Sequence, residues 1–335
     1  MGAINSKLSW GKVLKISKED LEETKCCFGA NGHDGCTENF TITKVIKKTK
    51  LMSVYKVVSQ KNKHLAVKIV KKGKRDEYTE NEIAILAKLN GLHKNIVKCK
   101  HVFETNKYYV IFEEFLIFDI RKYLKKEKRM TLDAGRVFIR KVTKIIRFLH
   151  QNNIVYGDLK TENIMVDEKG NIRLVDFDLS IRLDHNYTED FQPLGTVYYT
   201  APEQVVGKTC KQSDWWGLGC LLCEIYMSLT ANEMLFLNRS EYVNQDAAII
   251  ALQQLDEDLK LEDEDPLMQP ALPFINECVK LKVEDRIDLD KAQNLGEVEF
   301  LKDVTAAHKN EFVDEMKRFA NNVIRKEQKA FLMLY

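Results

Sequence analysis

Alternation of apolar and polar residues predicts a β-rich region in the first third of the chain. The strands are predicted at residues 40–46, 53–58, 65–70 and 108–115. A polar turn at residues 60–63 joins the second strand to the third. Between the third and fourth strands, Ile83, Leu86 and Leu89 recur at the spacing of one helix face, which predicts a helix there.

Helical periodicity dominates the remainder of the chain. Residues 119–124 and 134–150 carry apolar positions three and four apart, and a polar helix is predicted from Glu311 to Tyr335. Residues 256–265 are acidic and are predicted to form a solvated insertion.

Composition narrows the class of protein. At 335 residues, with 44% hydrophobic and 30% charged residues, the chain has the make-up of a globular protein larger than a usual single domain. A net charge of +2 argues against nucleic acid as a partner, and no apolar run approaches the roughly 20 residues of a membrane span. The eight cysteines are too few for a disulfide scaffold, so Cys220 and Cys223 are expected to be buried thiols in a reducing, cytoplasmic compartment.

The N-terminus carries a candidate motif for attachment to a membrane. Residues 1–7, MGAINSK, match the pattern for N-myristoylation at Gly2 once Met1 is removed. One acyl chain binds membranes only marginally, so a second signal is expected. Nearby lysines suit anionic lipid, while Cys26 and Cys27 are open to two interpretations, palmitoylation or simple exposed thiols. Residues 1–40 are therefore predicted to be an acylated anchor and linker that makes the protein a peripheral one at the cytoplasmic membrane face.

The chemistry is concentrated in two short tracts. Residues 155–163, VYGDLKTEN, contain Asp158, Lys160 and Asn163, and Asp176 opens the tract DFD thirteen residues after Asn163. Phosphoryl transfer requires such groups, because a protein must position a hydroxyl, hold Mg²⁺ and neutralise phosphate charge.

These tracts resemble the catalytic loop, H/Y-R-D-L-K-P-E-N, and the metal-binding loop, D-F-G, of eukaryotic protein kinases. Tyr156 and the pair Trp215-Trp216 resemble the AGC serine/threonine kinases, particularly the ribosomal-protein kinase-related branch. The resemblance implies the α+β fold class and a bilobal kinase fold, with a small mainly β N-lobe and a larger mainly α C-lobe. It also implies ATP with Mg²⁺ as cofactors. The lobes are expected at residues 41–116 and 117–300, followed by a C-terminal helical tail at residues 301–335.

The resemblance also implies roles for individual residues. Asp158 would orient the substrate hydroxyl or accept its proton, Lys160 would meet the γ-phosphate, and Asn163 and Asp176 would hold Mg²⁺. In the N-lobe, the tract LAVK would supply Lys68 for the nucleotide phosphates, with Glu82 as its partner. The residues that would line the rest of the nucleotide site are Val54, Ala66, Glu113 and Phe115.

Other positions that match the family pattern are expected to stabilise the fold around the catalytic loop or to position the substrate. Arg286 is placed to pair with Glu203 of the tract APE, and Asp214 to brace the catalytic loop from below. The residues expected to position a protein substrate are Thr196, Glu162 and Glu224. Since Asp119, Glu162 and Glu224 fall at positions that bind arginine in basophilic relatives, the expected protein substrate is basic.

Three departures from the family pattern bear on activity. The glycines that cover the phosphates are replaced by Lys47, Thr49 and Met52, which should crowd them. Gly157 replaces the arginine that grips a phosphate on the activation segment, and Gln192 stands where relatives often have a phosphorylated threonine. Asp178 replaces the glycine of D-F-G, which should restrict that loop.

Two pairs of interpretations follow. The leading hypothesis is a membrane-tethered serine/threonine protein kinase; the alternative is a pseudokinase that acts as a scaffold or allosteric partner. The C-terminal tail either docks its last aromatic residues on the small lobe, as in AGC kinases, or forms a helix that caps the large lobe.

Overall fold

A computed structural model describes most of the chain. The described residues are 13–14, 25–28, 40–187, 195–227, 268–291 and 298–332, with residue 296 and isolated residues between 249 and 265. Gly2 and Gln192 lie outside them, as do the side chains of Cys26, Cys27 and the last aromatic residues. The chain divides into two compact units, Met1–Leu116 and Ile117–Tyr335.

The first unit is built on one antiparallel sheet. Its strands are β1 (Val13–Leu14), β2 (Lys25–Phe28), β3 (Phe40–Lys48), β4 (Met52–Ser59), β5 (His64–Lys71), β6 (Cys99–Glu104) and β7 (Tyr108–Glu114). They lie in the order β1-β3-β4-β5-β7-β6-β2, and helix α1 (Asp76–Leu89) follows β5. The strands predicted from alternation are confirmed within one or two residues at each end, because period-two burial is a strong local signal.

One face of this sheet holds the hydrophobic core of the first unit. Val57 and Val67 on neighbouring strands are fully buried there, together with Phe112. The Phe112 ring lies 4.8 Å from that of Phe40 and 5.7 Å from that of Phe103, in a tilted and a T-shaped arrangement. Such aromatic packing stabilises the sheet beyond the burial of apolar area.

The second unit is mainly helical. Its helices are α2 (Ile120–Glu127), α3 (Leu132–Gln151), α4 (Pro202–Val205), α5 (Lys211–Met227), α6 (Leu272–Cys278) and α7 (Ala306–Leu332). Its short strands are β8 (Phe118–Asp119), β9 (Ile154–Val155), β10 (Ile164–Val166), β11 (Ile172–Leu174) and β12 (Ile181–Arg182). They form two small sheets, β11-β10-β8 and β12-β9. The two units together confirm the α+β class.

Helix α5 is the centre of the second unit. Every residue from Ser213 to Tyr226 is buried, because α5 is apolar on nearly all sides and packs against α3 and α6. The charged residues in this stretch, Asp214 and Glu224, therefore need partners inside the protein.

The C-terminal helix α7 packs on the second unit. Phe312 and Phe319 are buried on it, and the Phe319 ring lies 4.6 Å from that of Phe118 and 5.2 Å from that of Tyr123. The Phe312 ring faces Phe138 of α3 at 6.4 Å. For its described residues, the tail is thus a helix against the large unit. No helix in the described part of the chain is long and apolar enough to span a membrane.

We expect Phe319→Ala to lower the free energy of unfolding by about 3 kcal/mol, since it removes a buried ring from an aromatic cluster. Urea denaturation measures the change. Asn322→Ala, on the exposed side of the same helix, is the matched control and should have almost no effect. Equal stabilities of the two variants would contradict the packing of α7 on this unit.

Candidate active site

Asp158 lies at the centre of a network of hydrogen bonds in the second unit. Its carboxylate is 5% exposed and accepts from the backbone N–H of Thr196 at 3.0 Å and from the Thr196 hydroxyl at 3.1 Å. The other oxygen accepts from Lys160 Nζ at 2.5 Å and from Asn163 Nδ2 at 2.9 Å. Four donors thus hold the carboxylate in one orientation, and charge-assisted bonds of this kind are the strong ones.

Lys160 and Asn163 are themselves fixed by the same network. Lys160 Nζ also donates to the Thr196 hydroxyl at 2.8 Å, so it joins the loop to the segment that contains Thr196. Asn163 Nδ2 also donates to the backbone oxygen of Asp158 at 2.9 Å. Because the amide nitrogen is committed to Asp158, a cation at Asn163 would meet the amide oxygen, which is a ligand that Mg²⁺ prefers.

Asp176 lies on a strained loop held against the Asp158 loop. Its φ is +62°, a conformation that is uncommon for a non-glycine residue and costs it energy. The Tyr156 hydroxyl donates to the backbone oxygens of Val175 and Asp176 at 2.7 and 3.2 Å. The buried Phe177 ring packs edge-on to Tyr156 at 5.5 Å. Tyr156 therefore links the two loops that the sequence identifies.

Asp178 adopts its conformation in this loop without backbone strain. The non-glycine residues with positive φ in the described chain include Asp176 but not Asp178. A Cβ at position 178 consequently brings no backbone strain in this conformation. The glycine normally found there is dispensable for this state of the loop, and the strain lies two residues earlier.

Two glycines allow the close approach of the segments around Asp158. Gly157 has a φ of +77°, and a Cβ there would lie 3.0 Å from the backbone oxygen of Leu179. A Cβ at Gly195 would lie 2.8 Å from the backbone oxygen of Gly157 and 3.3 Å from Asp158 Oδ1. Position 157 therefore cannot take the usual arginine without strain.

Asp214 supports the Asp158 loop from α5. Its carboxylate accepts from the backbone N–H of Tyr156 at 2.9 Å and of Gly157 at 2.8 Å. It also binds His150 Nε2 at 2.8 Å, while His150 Nδ1 binds Asp290 at 2.6 Å. Burial by itself lowers the pKa of His150, but hydrogen bonds to the two carboxylates and their charges outweigh it and raise the pKa to about 9. His150 is thus a buried cation between two acids.

An ion pair joins α4, in the segment after Thr196, to Arg286, which follows α6. Arg286 donates to both oxygens of Glu203, at 2.6 and 3.1 Å, and Ser213 donates to Glu203 at 2.7 Å. The Arg286 guanidinium also stacks 5.2 Å from the Trp216 ring. A buried bidentate pair of this kind fixes geometry, and loss of either partner would leave an uncompensated charge.

The first unit carries its own cluster of predicted residues. Lys68 Nζ on β5 lies 2.9 and 2.8 Å from the two oxygens of Glu82 on α1, and both residues are buried. Val54 lies directly opposite Lys68 in the register, and Ala66 lies two residues before it, so the three side chains share one sheet face. Glu113 lies opposite Ala66 on β7, at the same face.

Phe115 follows β7 in the first unit. Lys56 Nζ lies 4.3 Å from the centre of its ring, a cation–π contact. Phe115 thus lies close to the sheet face of Ala66, because Lys56 is the register partner of Ala66.

The family of the chain follows from comparison with known sequences. Residues 41–300 match the protein kinase domain family. The chain belongs to the protein kinase family. Similar proteins include ribosomal protein S6 kinase alpha-6 of Danio rerio, 31% identical over 245 residues, or 67% of this chain and 33% of that protein.

Two further relatives are shorter matches. Ribosomal protein S6 kinase alpha-1 of Rattus norvegicus is 36% identical over 184 residues, 52% of this chain and 25% of that protein. NUAK family SNF1-like kinase 2 of Homo sapiens is 35% identical over 168 residues, 47% of this chain and 26% of that protein. The chain spans between a quarter and a third of the length of these relatives. They confirm the AGC-like, ribosomal-protein kinase-related resemblance.

The remaining predicted residues surround a buried acid of this kinase domain. Glu224 on α5 accepts from Arg121, from Tyr199 and, at 3.0 Å, from the Thr161 hydroxyl. Burial raises the pKa of the Glu224 carboxyl, although these donors lower it. Glu162 is half-exposed, 3.9 Å from Arg121 Nε.

Asp119 has a structural role at the start of a helix. Its carboxylate accepts from the backbone N–H of Lys122 at 2.7 Å and so caps the N-terminus of α2.

Sequence analysis missed four residues of this region, which are His150, Asp290, Arg121 and Thr161. The signal for His150 is a histidine on the apolar face of the helix that leads into the catalytic tract. Thr161 replaces the proline of the family pattern, which marks it as unusual. Arg121 and Asp290 carry no sequence signal, because each meets its partner only in the folded chain.

The charge on His150 predicts a specific dependence of stability on pH. Its pKa is higher in the folded state than the usual value of about 6.5, so its contribution is complete below roughly pH 6.5 and is lost as pH rises through about 9. The loss should amount to about 3 kcal/mol in the native protein. Asp290→Asn should flatten the dependence, because it removes one of the two carboxylates that hold the proton.

Urea unfolding from roughly pH 6 to about pH 9.5 measures this dependence for the native protein and the variant. Asp285→Asn, which removes an exposed acid from the same segment, is the matched control and should retain the native slope. A variant slope equal to that of the control would refute the charged His150.

Proposed function

We propose that the chain is a serine/threonine protein kinase that transfers the γ-phosphate of Mg-ATP to hydroxyl groups of proteins. The observation that carries the proposal is the carboxylate of Asp158, oriented by Thr196, Lys160 and Asn163. Such an acid can accept the proton of an approaching hydroxyl, and the adjacent ammonium can stabilise negative charge on a transferred phosphoryl group.

The residues present fit ATP and Mg²⁺. Asn163 and Asp176 offer the amide and carboxylate oxygens that would hold Mg²⁺, which usually binds through one or two protein groups together with phosphate. Mg²⁺ would neutralise phosphate charge during transfer.

The resemblance also assigns residues of the first unit to the nucleotide. Lys68 would bind the nucleotide phosphates, and Glu82 holds its ammonium in place. Val54 and Ala66 would provide the apolar side of the nucleotide site, while the backbone at Glu113 and Phe115 would meet the base. The roles of Glu203, Arg286 and Asp214 are structural, since each holds a segment of the second unit in place.

A pseudokinase is the second candidate, and the turn between β3 and β4 favours it. Thr49 closes this turn, since its N–H donates to the Met52 oxygen at 2.7 Å and its hydroxyl accepts from the Met52 N–H at 3.0 Å. The turn contains no glycine, so its amides are less able to approach phosphates closely. A scaffold or allosteric partner would keep the fold and its ion pairs without rapid chemistry.

Asp158→Asn should lower phosphate transfer by about 10²- to 10⁴-fold, because it removes the base without changing the shape of the side chain. Transfer of labelled phosphate from ATP to serine and threonine peptides measures this, and binding of Mg-ATP is followed by thermal shift. The variant should still bind Mg-ATP. Equal transfer by both proteins, or none by either, would exclude the enzyme, and nucleotide-independent stability would favour the scaffold.

We further propose that the kinase is attached to the cytoplasmic face of a membrane through myristate on Gly2. The support is the sequence of residues 1–7 with the lysines that follow it. The anchor itself is too weak for stable attachment, so basic residues or a second acyl chain would complete it.

Gly2→Ala should abolish acylation, and the variant should no longer float with vesicles that contain anionic lipid. Intact mass after co-expression with an N-myristoyltransferase and vesicle flotation are the two measurements. Asn5→Ala, which preserves the motif, is the matched control and should behave as the native protein. Unchanged flotation of the Gly2 variant would disprove the anchor.

A further inference from the structure

Glu224, one of the acids expected to bind a basic substrate, is occupied by groups of the chain itself. Its side chain is fully buried, and the donors to its carboxylate are Arg121, Thr161 and Tyr199. A carboxylate at this depth requires compensation, since a buried charge left without a partner is strongly destabilising. Arg121 is the cation that provides it.

This cluster lies beside the residues that would hold the reacting hydroxyl. Thr161 directly follows Lys160, which binds Asp158. Tyr199 belongs to the same segment as Thr196, which also binds Asp158. A peptide that places its hydroxyl at Asp158 must therefore pass close to Glu224 and its partners.

Arg121 pairs with two of the acids that the sequence resemblance assigns to a basic side chain of such a peptide. It comes from α2, is about one-third exposed, and lies between the buried Glu224 and the half-exposed Glu162. Its Nε is 3.9 Å from Glu162 Oε1, while Nη1 forms the ion pair with Glu224. A second guanidinium would meet the positive charge of Arg121, and Glu224 already has three donors.

We propose that Arg121 is a specificity-determining residue, an arginine of the chain itself that fills the acidic site and removes selection for arginine in the substrate. The inference rests on the proposed kinase function and changes one expectation from the sequence. Of the acids thought to favour a basic substrate, Glu162 remains accessible, Asp119 caps a helix, and Glu224 is neutralised internally.

Thr161 supports the same assignment. The family pattern has proline at this position, which cannot donate a hydrogen bond, whereas the Thr161 hydroxyl donates to Glu224 at 3.0 Å. Arg121 and Thr161 thus both bind the carboxylate of Glu224. Arg121 and Thr161 both make it harder for a ligand to bind Glu224, because the ligand must replace the hydrogen bonds that they already donate to it.

The test is an arginine scan of a serine peptide with the native protein, Arg121→Ala and Lys125→Ala. Lys125→Ala is the matched control, since it removes one positive charge one turn further along α2. We expect Arg121→Ala to gain about tenfold in kcat/KM for arginine at one peptide position, while the native protein and the control show no such gain. The double variant Arg121→Ala with Glu224→Gln should lose the gain.

A second measurement does not depend on phosphate transfer. Ethylguanidinium should raise the Tm of Arg121→Ala, by filling the vacated position, more than it raises that of the native protein or of Lys125→Ala. Equal Tm changes, or an arginine scan that is the same for Arg121→Ala and the native protein, would overturn the proposal. If no protein transfers phosphate, the kinase function fails, and the ethylguanidinium result alone decides whether Glu224 can bind an external guanidinium.

Discussion

One buried carboxylate, that of Asp214, determines where the catalytic loop lies. It accepts from two consecutive backbone N–H groups, at Tyr156 and Gly157, and binds the ring of His150. The loop contains few residues in regular structure, so its backbone amides depend on this carboxylate for partners. Without this carboxylate, the backbone at Tyr156 and Gly157 would no longer be held in place. Asp158 would then lose its fixed position, and Tyr156 would lose its contact with the Asp176 loop.

The second unit contains two buried acids on the same helix with different consequences. Asp214 holds backbone and a charged histidine, so its role is to position a loop. Glu224 holds side chains, one of which is a cation from α2, so its charge is balanced within the chain. Because α5 is buried on all sides, each acid needs its own set of donors, and the identity of those donors decides the function.

The first unit also contains a buried charge that is balanced by a partner from another element. Lys68 and Glu82 are buried together, on a strand and a helix, and their mutual attraction offsets part of the desolvation cost that each carries. The sheet face that carries Lys68 also carries Val54 and Ala66, so charge and apolar surface are presented side by side. Such a combination is typical of a site for a phosphorylated ligand with an apolar group.

The sequence by itself determined the features that depend on short-range order. Alternation located β3, β4 and β5, because every second residue of a strand faces the core, and helical spacing located α1 and α3. The spacing of Asp158, Lys160 and Asn163 predicted a phosphoryl-transfer loop, because these residues lie within six positions of one another and carry groups that such a reaction requires.

Only the tertiary structure decided the partners of Glu224 and His150. Arg121 and Glu224 are separated by 103 residues, and His150 and Asp290 by 140, so no local pattern joins them. It also decided that the left-handed backbone lies at Asp176 and Gly157 rather than at Asp178. The physical reason is that desolvation makes a buried charge select its partner from the whole folded chain, whereas periodicity reports only on the residues nearby.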